Sequence, residues 1–137
     1  MSQEELPAPA LAQRFIDAFN RRDADGLVAL THPQVEFVPT VLVGQRAVYR
    51  GHAGIRRWVA DLIASGAAHQ VRVRDVRQLA PDRLAVLTEV LIEGEVTTPS
   101  AMVATLREGL IVHAKAYLSD EPTLIRVGVL PPRSADA

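Results

Sequence analysis

The apolar residues of this chain change their spacing once, near Gly66, from every three or four positions to every second one. That switch restricts the fold to helices followed by strands, because a helix repeats every 3.6 residues and a strand every two. Before it, Leu11, Phe15 and Phe19 recur four apart with Ile16 beside them. The stripe predicts a first helix over residues 8–21, with Pro7 and Pro9 where the first turn tolerates a missing amide proton. Asp23 is placed to cap a second helix running through Leu30, and Pro33 prevents that helix from continuing. Val35 to Thr40 reads as a short strand. Gly51 and Gly54 bracket the start of a third helix, which ends near Gly66. Its buried stripe is predicted as Ile55, Val59, Leu62 and Ile63, with Arg56, Arg57 and Asp61 on the wet side.

In the second half Val71 and Val73 alternate with Arg72 and Arg74, but Val76 falls on the opposite parity. The strand therefore ends or bulges near Asp75. Ala80-Pro81-Asp82 is a turn, Arg83 to Glu93 a long strand, Gly94 a second turn and Thr98 to Arg107 another strand. Glu108-Gly109 is a tight hairpin and Leu110 to Leu118 the last strand. The apolar coda Leu124 to Leu130 is expected to pack on the helices, and residues 131–137 to form a flexible tail. Helices first and an antiparallel meander after predict an α+β fold, in one domain over residues 1–130.

Charge and composition remove several functions. Fifteen basic residues against sixteen acidic ones create no net field for polyanions or an anionic bilayer, so neither nucleic acid nor membrane is an expected partner. Arg72, Arg74 and Arg77 have no aromatic residues interleaved and read as a solvated strand face. The absence of cysteine excludes disulfides and thiolate chemistry. His32, His52, His69 and His113 are 17 or more residues apart, without metal-ligand spacing, so neither a metal nor a cofactor is expected. The opening MSQEELPAPA lacks the basic and apolar regions of a signal peptide, and a cytoplasmic location is the expectation.

Five pieces occur in a fixed order: Asn20-Arg21-Arg22-Asp23 between the first helices, Gly26 to Leu30 in the second helix, and Val35-Glu36-Phe37 in the strand after it. Tyr49 to Trp58, reading YRGHAGIRRW, leads into helix three, and Arg107 to Val112, reading REGLIV, makes the final hairpin. Together they resemble the nuclear-transport-factor-2-like superfamily, with its SnoaL-like cyclases and ketosteroid isomerases, in a branch without a defined activity. The resemblance implies a cone-shaped curved antiparallel sheet wrapped around the N-terminal helices, of the cystatin-like kind, with an apolar interior. Homodimers through the outer sheet face are also implied. Carried over residue by residue, the isomerase's helix-one Tyr falls on Phe15, its base on Phe37, its second Asp on or next to Met102 and its helix-three Tyr on Val59. None of these can exchange a proton. The cyclases' acid on the last strand meets Val112, Ala114, Ala116 and Leu118, and the Arg and paired Asp of the epoxide hydrolases have no match. The implied function is a pocket for a small apolar molecule. Phe15, Phe37, Trp58, Met102, Ala114 and Ala116 would shape it, and Thr88 and Ser100 would supply orienting hydrogen bonds.

Strand alternation leaves one fork, since a slip of one residue exchanges the two faces. The apolar row Val112, Ala114, Ala116 and Leu118 is expected to face the cone, with Val86, Thr88 and Val90. The outward row then holds Glu89, His113 and Lys115 as a salt-bridged surface or dimer seam. In the other register His113, Lys115 and Tyr117 would line the pocket with Glu89 as counter-ion. That set would serve an isomerase, polyketide cyclase or hydrolase with non-standard acids and bases. Trp58 and Tyr49 flank the pocket entrance in the family pattern, and His52 is expected to support the start of helix three. Leu87, Glu89, Leu91, Val103, Thr105 and Tyr117 form an outward row that no element of the chain is expected to cover, which favours a homodimer.

Overall fold

The computed structural model describes residues 6–39 and 48–132. Helix α1 (Ala8–Asn20) starts after Pro7 and buries Leu11, Ala12, Phe15, Ile16, Ala18 and Phe19 on one side. Helix α2 (Ala24–Ala29) begins where the Asp23 carboxylate accepts from the Gly26 amide at 3.0 Å. It stops where the Thr31 hydroxyl donates to the carbonyls of Leu27 and Val28, both at 3.1 Å. Strand β1 (Thr31–Val38) therefore starts four residues before the expected Val35. Pro33 is tolerated inside it because the β1 ladder to its neighbour is interrupted between Thr31 and Glu36, where no amide proton is required. Thr40, the expected end, lies outside the described residues.

Strand β2 (Tyr49–Arg50) leads directly into helix α3 (Gly51–Ala64). A Cβ on Gly54 would lie 2.9 Å from the Tyr49 carbonyl carbon, so this turn closes only around glycine. The buried stripe of α3 is Ile55, Trp58, Val59 and Leu62. Ile63, expected there, is 61% exposed, and Trp58 takes its place. Both positions satisfy a 3.6-residue period; Trp58 is the one that meets Phe15, Phe19 and Phe37.

Strands β3 (Gln70–Ala80), β4 (Arg83–Ile92), β5 (Glu95–Arg107) and β6 (Leu110–Tyr117) form the expected antiparallel meander. The β3 register shifts between Val73 and Asp75, so of the two outcomes that the parity of Val76 left open the strand bulges and does not end. Both hairpin pairs, Glu93-Gly94 and Glu108-Gly109, have positive φ at each residue, the geometry that matches the twist of the flanking strands. The sheet order is β2-β1-β6-β5-β4-β3, and β1 runs parallel to β6. The architecture is α+β: N-terminal helices packed against a six-stranded, mostly antiparallel sheet.

One apolar core lies between the helices and the inner sheet face. A second lies on the other face, where Leu124 and Leu130 meet Ala85, Leu87 and Ala101. The coda therefore does not pack on the helices. It forms helix α4 (Glu121–Arg126), capped by Asp120, whose carboxylate accepts from the Thr123 amide at 2.9 Å. Glu121 pairs with Arg77 of β3 at 2.5 Å, and the small side chains of Ala85 and Ala101 give the helix room to sit close. The outward row is accordingly not bare: Leu87 is only 2% exposed. Tyr117 and Val103 pack at the edge of the same cluster.

Candidate functional site

Alternation along the meander turns Thr88 and Val90 of β4, Ser100 and Met102 of β5 and Ala116 of β6 toward the helices. Phe15, Ile16 and Phe19 of α1, Trp58 and Leu62 of α3, Phe37 of β1 and Pro39 close the opposite wall. They line a half-open cavity of about 70 Å³, completed by His69 and Val71 at the start of β3 and by Ala101 of β5. Trp58 is the centre of the aromatic wall. Its ring centroid lies 4.2 Å from Phe37, 5.4 Å from Phe19 and 6.4 Å from Phe15. Ring contacts of this kind contribute about 0.5–1.5 kcal/mol each beyond the area they bury.

Seven of the eight expected lining residues are on its wall: Phe15, Phe37, Trp58, Thr88, Ser100, Met102 and Ala116. Ala114 is not. It lies between Phe37 of β1 and Ala104 of β5 in the ladder and is fully buried in the core. The expected inward row also breaks at its two ends. The β6 register against β5 shifts between Thr105 and Leu106, so Ile111 enters the core where alternation assigned Val112. Leu118 is past the strand and 47% exposed.

The alternative register is corrected by the same geometry. His113 Nε2 lies 3.8 Å from Glu36, Lys115 Nζ stands 5.4 Å over the Tyr117 ring, and Glu89 pairs with Arg72 at 2.7 Å. None of these four residues lines the cavity. Tyr49 does not flank it either: its hydroxyl donates to Asp61 at 2.7 Å, and burial together with that carboxylate pushes its pKa up to about 12. His52 Nε2 lies 2.9 Å from the Thr31 carbonyl and ties the start of α3 to β1, as expected. His32 stands 3.4 Å from Glu108, away from the pocket. Arg72 is engaged by Glu89, and Arg74 and Arg77 by Glu121.

His69 is the residue the sequence reading missed. It shares parity with Val71 and Val73, which was the available signal, but it precedes the strand proper. Its ring packs 5.4 Å from Phe19 and is buried. Arg22 reaches across from the turn after α1, donating to the carbonyls of Phe19, Ala67 and His69 at 2.9, 2.9 and 3.0 Å. Burial, and then the nearby Arg22 charge, lower the His69 pKa to about 4, so the imidazole is neutral at pH 7. Among the described lining residues it is the only side chain of a readily titrating type. The other polar feature is a pair: Thr88 Oγ1 and Ser100 Oγ, both buried, lie 2.6 Å apart.

The cavity wall is therefore apolar and uncharged, with a hydroxyl pair and a neutral imidazole set into it. Phe15, Met102 and Phe37, onto which the resemblance carries the isomerase's oxyanion donors and base, all stand on this wall. Among the described residues no cluster of three or more His, Asp or Glu is arranged to hold a metal ion. No helix there is long and apolar enough to cross a membrane.

The family model of the SnoaL-like domain matches residues 12–114. No curated protein matches the sequence. Solved structures share the fold at low identity. A protein of ketosteroid isomerase-like fold from Catenulispora acidiphila, in complex with trimethylamine, is similar at 18% identity and TM-score 0.67, over 90% of this chain and 96% of that one. TerC, co-crystallised with polyporic acid, is similar at 22% identity and TM-score 0.66, over 88% and 97%. A nuclear-transport-factor-2-like protein of unknown function from Cytophaga hutchinsonii is similar at 13% identity and TM-score 0.62, over 89% and 98%. Helices ahead of a curved mostly antiparallel sheet, and a family match spanning three quarters of the sequence, give one conclusion: the chain belongs to the SnoaL-like domain family, with the nuclear-transport-factor-2-like fold.

Proposed function

We propose that this protein binds a small, uncharged, largely apolar molecule in the cavity between its helices and its sheet. The observation that carries the reading is the lining: aromatic and aliphatic side chains, no charged group, and polar side-chain groups only from Thr88, Ser100, His69 and the Trp58 indole N–H. Ligand sites commonly have this composition, a hydrophobic enclosure with a few placed polar groups. At about 70 Å³ the half-open space takes at most part of a single ring, the rest extending from its mouth, and it is too small for a steroid. Two proteins of similar fold, one in complex with trimethylamine and one co-crystallised with polyporic acid, support binding of small organic molecules.

The test uses Trp58, the chain's single tryptophan. Methylcyclohexane titrated into the labelled protein is expected to shift the Trp58 indole resonance saturably, and Ala116→Leu, which fills the cavity, to abolish that response. An unmoved indole resonance would overturn the reading. An isomerase, polyketide cyclase or hydrolase with a non-standard acid/base set is the second reading, and His69 is the observation that favours it. An imidazole with a pKa of about 4 is a weak base at neutral pH, which is why binding is preferred. The reading includes a cytoplasmic homodimer through the part of the outer sheet face that α4 leaves uncovered, around Leu91 and Thr105. Light scattering at micromolar concentration tests the assembly.

A further inference from the structure

We propose that the cavity selects an unbranched aliphatic chain over a ring of equal carbon number, which rests on its being a binding site and adds the shape of what it binds. Its lining residues stand far apart on the sheet. Val71 of β3 faces Val90 of β4, whereas Ala116 of β6 faces Met102 of β5, which faces Val86 of β4. Val86 and Val90 are four residues apart, and β3 is separated from β6 by three strand spacings. The two ends therefore lie about 13 Å apart along the strands and about 14 Å apart across them, a diagonal of about 19 Å between backbones.

The opposite wall has the same two ends. Phe19 packs 5.4 Å from the ring of His69, which precedes Val71 by two residues. Phe37 faces Ala114, two residues before Ala116. Trp58 joins them, 5.4 Å from Phe19 and 4.2 Å from Phe37. About 70 Å³ drawn out over even half of the sheet diagonal, roughly 10 Å, leaves a cross-section of only about 7 Å². A ring needs width at one place, whereas a chain needs length.

Polarity along the path suits a hydrocarbon chain. Thr88 lies midway between Val86 and Val90, and its hydroxyl is bonded to that of Ser100 at 2.6 Å, so methylene groups passing the pair break no bond. A charged or amide-bearing chain would bring polar groups against aromatic and aliphatic side chains that cannot answer them. A hydroxyl at one terminus escapes that cost, because the cavity is half-open and leaves it in water.

The experiment titrates 1-butanol, 1-hexanol, 1-octanol and cyclooctanol into the wild-type chain and follows the Trp58 indole resonance. Burial alone gives about fourfold in affinity per methylene, and ordering the chain takes back part of it, so affinity should rise about two- to fourfold per carbon through the linear series. Chain and ring are compared after each affinity is divided by that probe's own water-to-alkane partition coefficient. On that scale 1-octanol should exceed cyclooctanol by about tenfold, because the ring overpacks a narrow space. Nuclear Overhauser contacts from bound 1-octanol should reach the His69 ring and the Ala116 methyl from opposite ends of the chain. Corrected cyclooctanol affinity equal to that of 1-octanol, or 1-octanol contacts confined to one end, overturns the chain shape and leaves the cavity reading intact. Failure of every alcohol and of methylcyclohexane to shift Trp58 overturns both.

Discussion

Arg22 acts on His69 in two ways at once: its guanidinium donates to the His69 carbonyl at 3.0 Å, anchoring the backbone, and its charge opposes protonation of the His69 ring. The anchor comes with no carboxylate to offset it, and the Arg22 guanidinium also stacks 4.6 Å over the Phe19 ring that His69 packs against. The turn after α1 and the start of β3 are thereby tied together at one edge of the cavity.

Stability should depend on pH through this pair. The folded-state pKa of about 4 lies below the ordinary 6.5, so the unfolded chain binds the His69 proton more readily. His69 therefore leaves stability undiminished above pH 6.5 and lowers it progressively as pH falls from 6.5 toward 4, by up to about 3 kcal/mol. Urea midpoints measured from pH 7 to pH 4 should fall, and His69→Phe should flatten that part of the profile. A variant with the same slope as wild type would contradict the assignment.

Leu124→Ala should cost ~2–5 kcal/mol, the usual range for emptying a fully buried leucine site. Leu124 joins α4 to Ala85, Leu87 and Ala101 on the outer sheet face. Because the cavity lies on the opposite face and shares only Ala101 with this cluster, the variant should keep its response to methylcyclohexane while its urea midpoint drops. Loss of the ligand response in a still-folded variant would show that the two faces are coupled.

At Gly54 two effects oppose each other. Alanine improves helix propensity by about 1 kcal/mol, yet its Cβ would approach the Tyr49 carbonyl carbon to 2.9 Å. The contact is with backbone, which cannot rotate away, so overpacking of ~1–3 kcal/mol should win and Gly54→Ala should lower the thermal midpoint. A raised midpoint would mean that the β2–α3 junction has slack.

The unmodified protein should not isomerise a Δ5-3-ketosteroid. Phe15, Phe37 and Met102 all lie on the cavity wall, where neither an oxyanion nor a base is served. Loss of one oxyanion donor alone typically costs ~10²–10³ in rate. Ultraviolet absorbance of the conjugated product is the assay, and an enzyme-like rate would overturn the residue-by-residue correspondence. Phe15→Tyr, Phe37→Asp and Met102→Asp together form the constructive counterpart, at a stability cost because both carboxyls need partners in an apolar site.

Local spacing was enough to determine the three N-terminal helices, the meander, both glycine hairpins and the bulge near Asp75, because each depends on side chains a few positions apart. Alternation along β4 and β6 was enough for the inward facing of Thr88 and Ala116, while Ser100 and Met102 followed from the family resemblance. Other features required the assembled fold. The choice of Trp58 over Ile63 depends on where Phe15, Phe19 and Phe37 stand, and the entry of Ile111 in place of Val112 on a register shift against β5. The docking of α4 on the outer face depends on Ala85 and Ala101, far away in sequence, leaving space there. His69 shows the division most plainly: its type and parity were readable from the chain, but its neutral state was not. Burial against Phe19 and the approach of Arg22, 47 residues earlier, set that state, and both exist only once α1 has folded against β3.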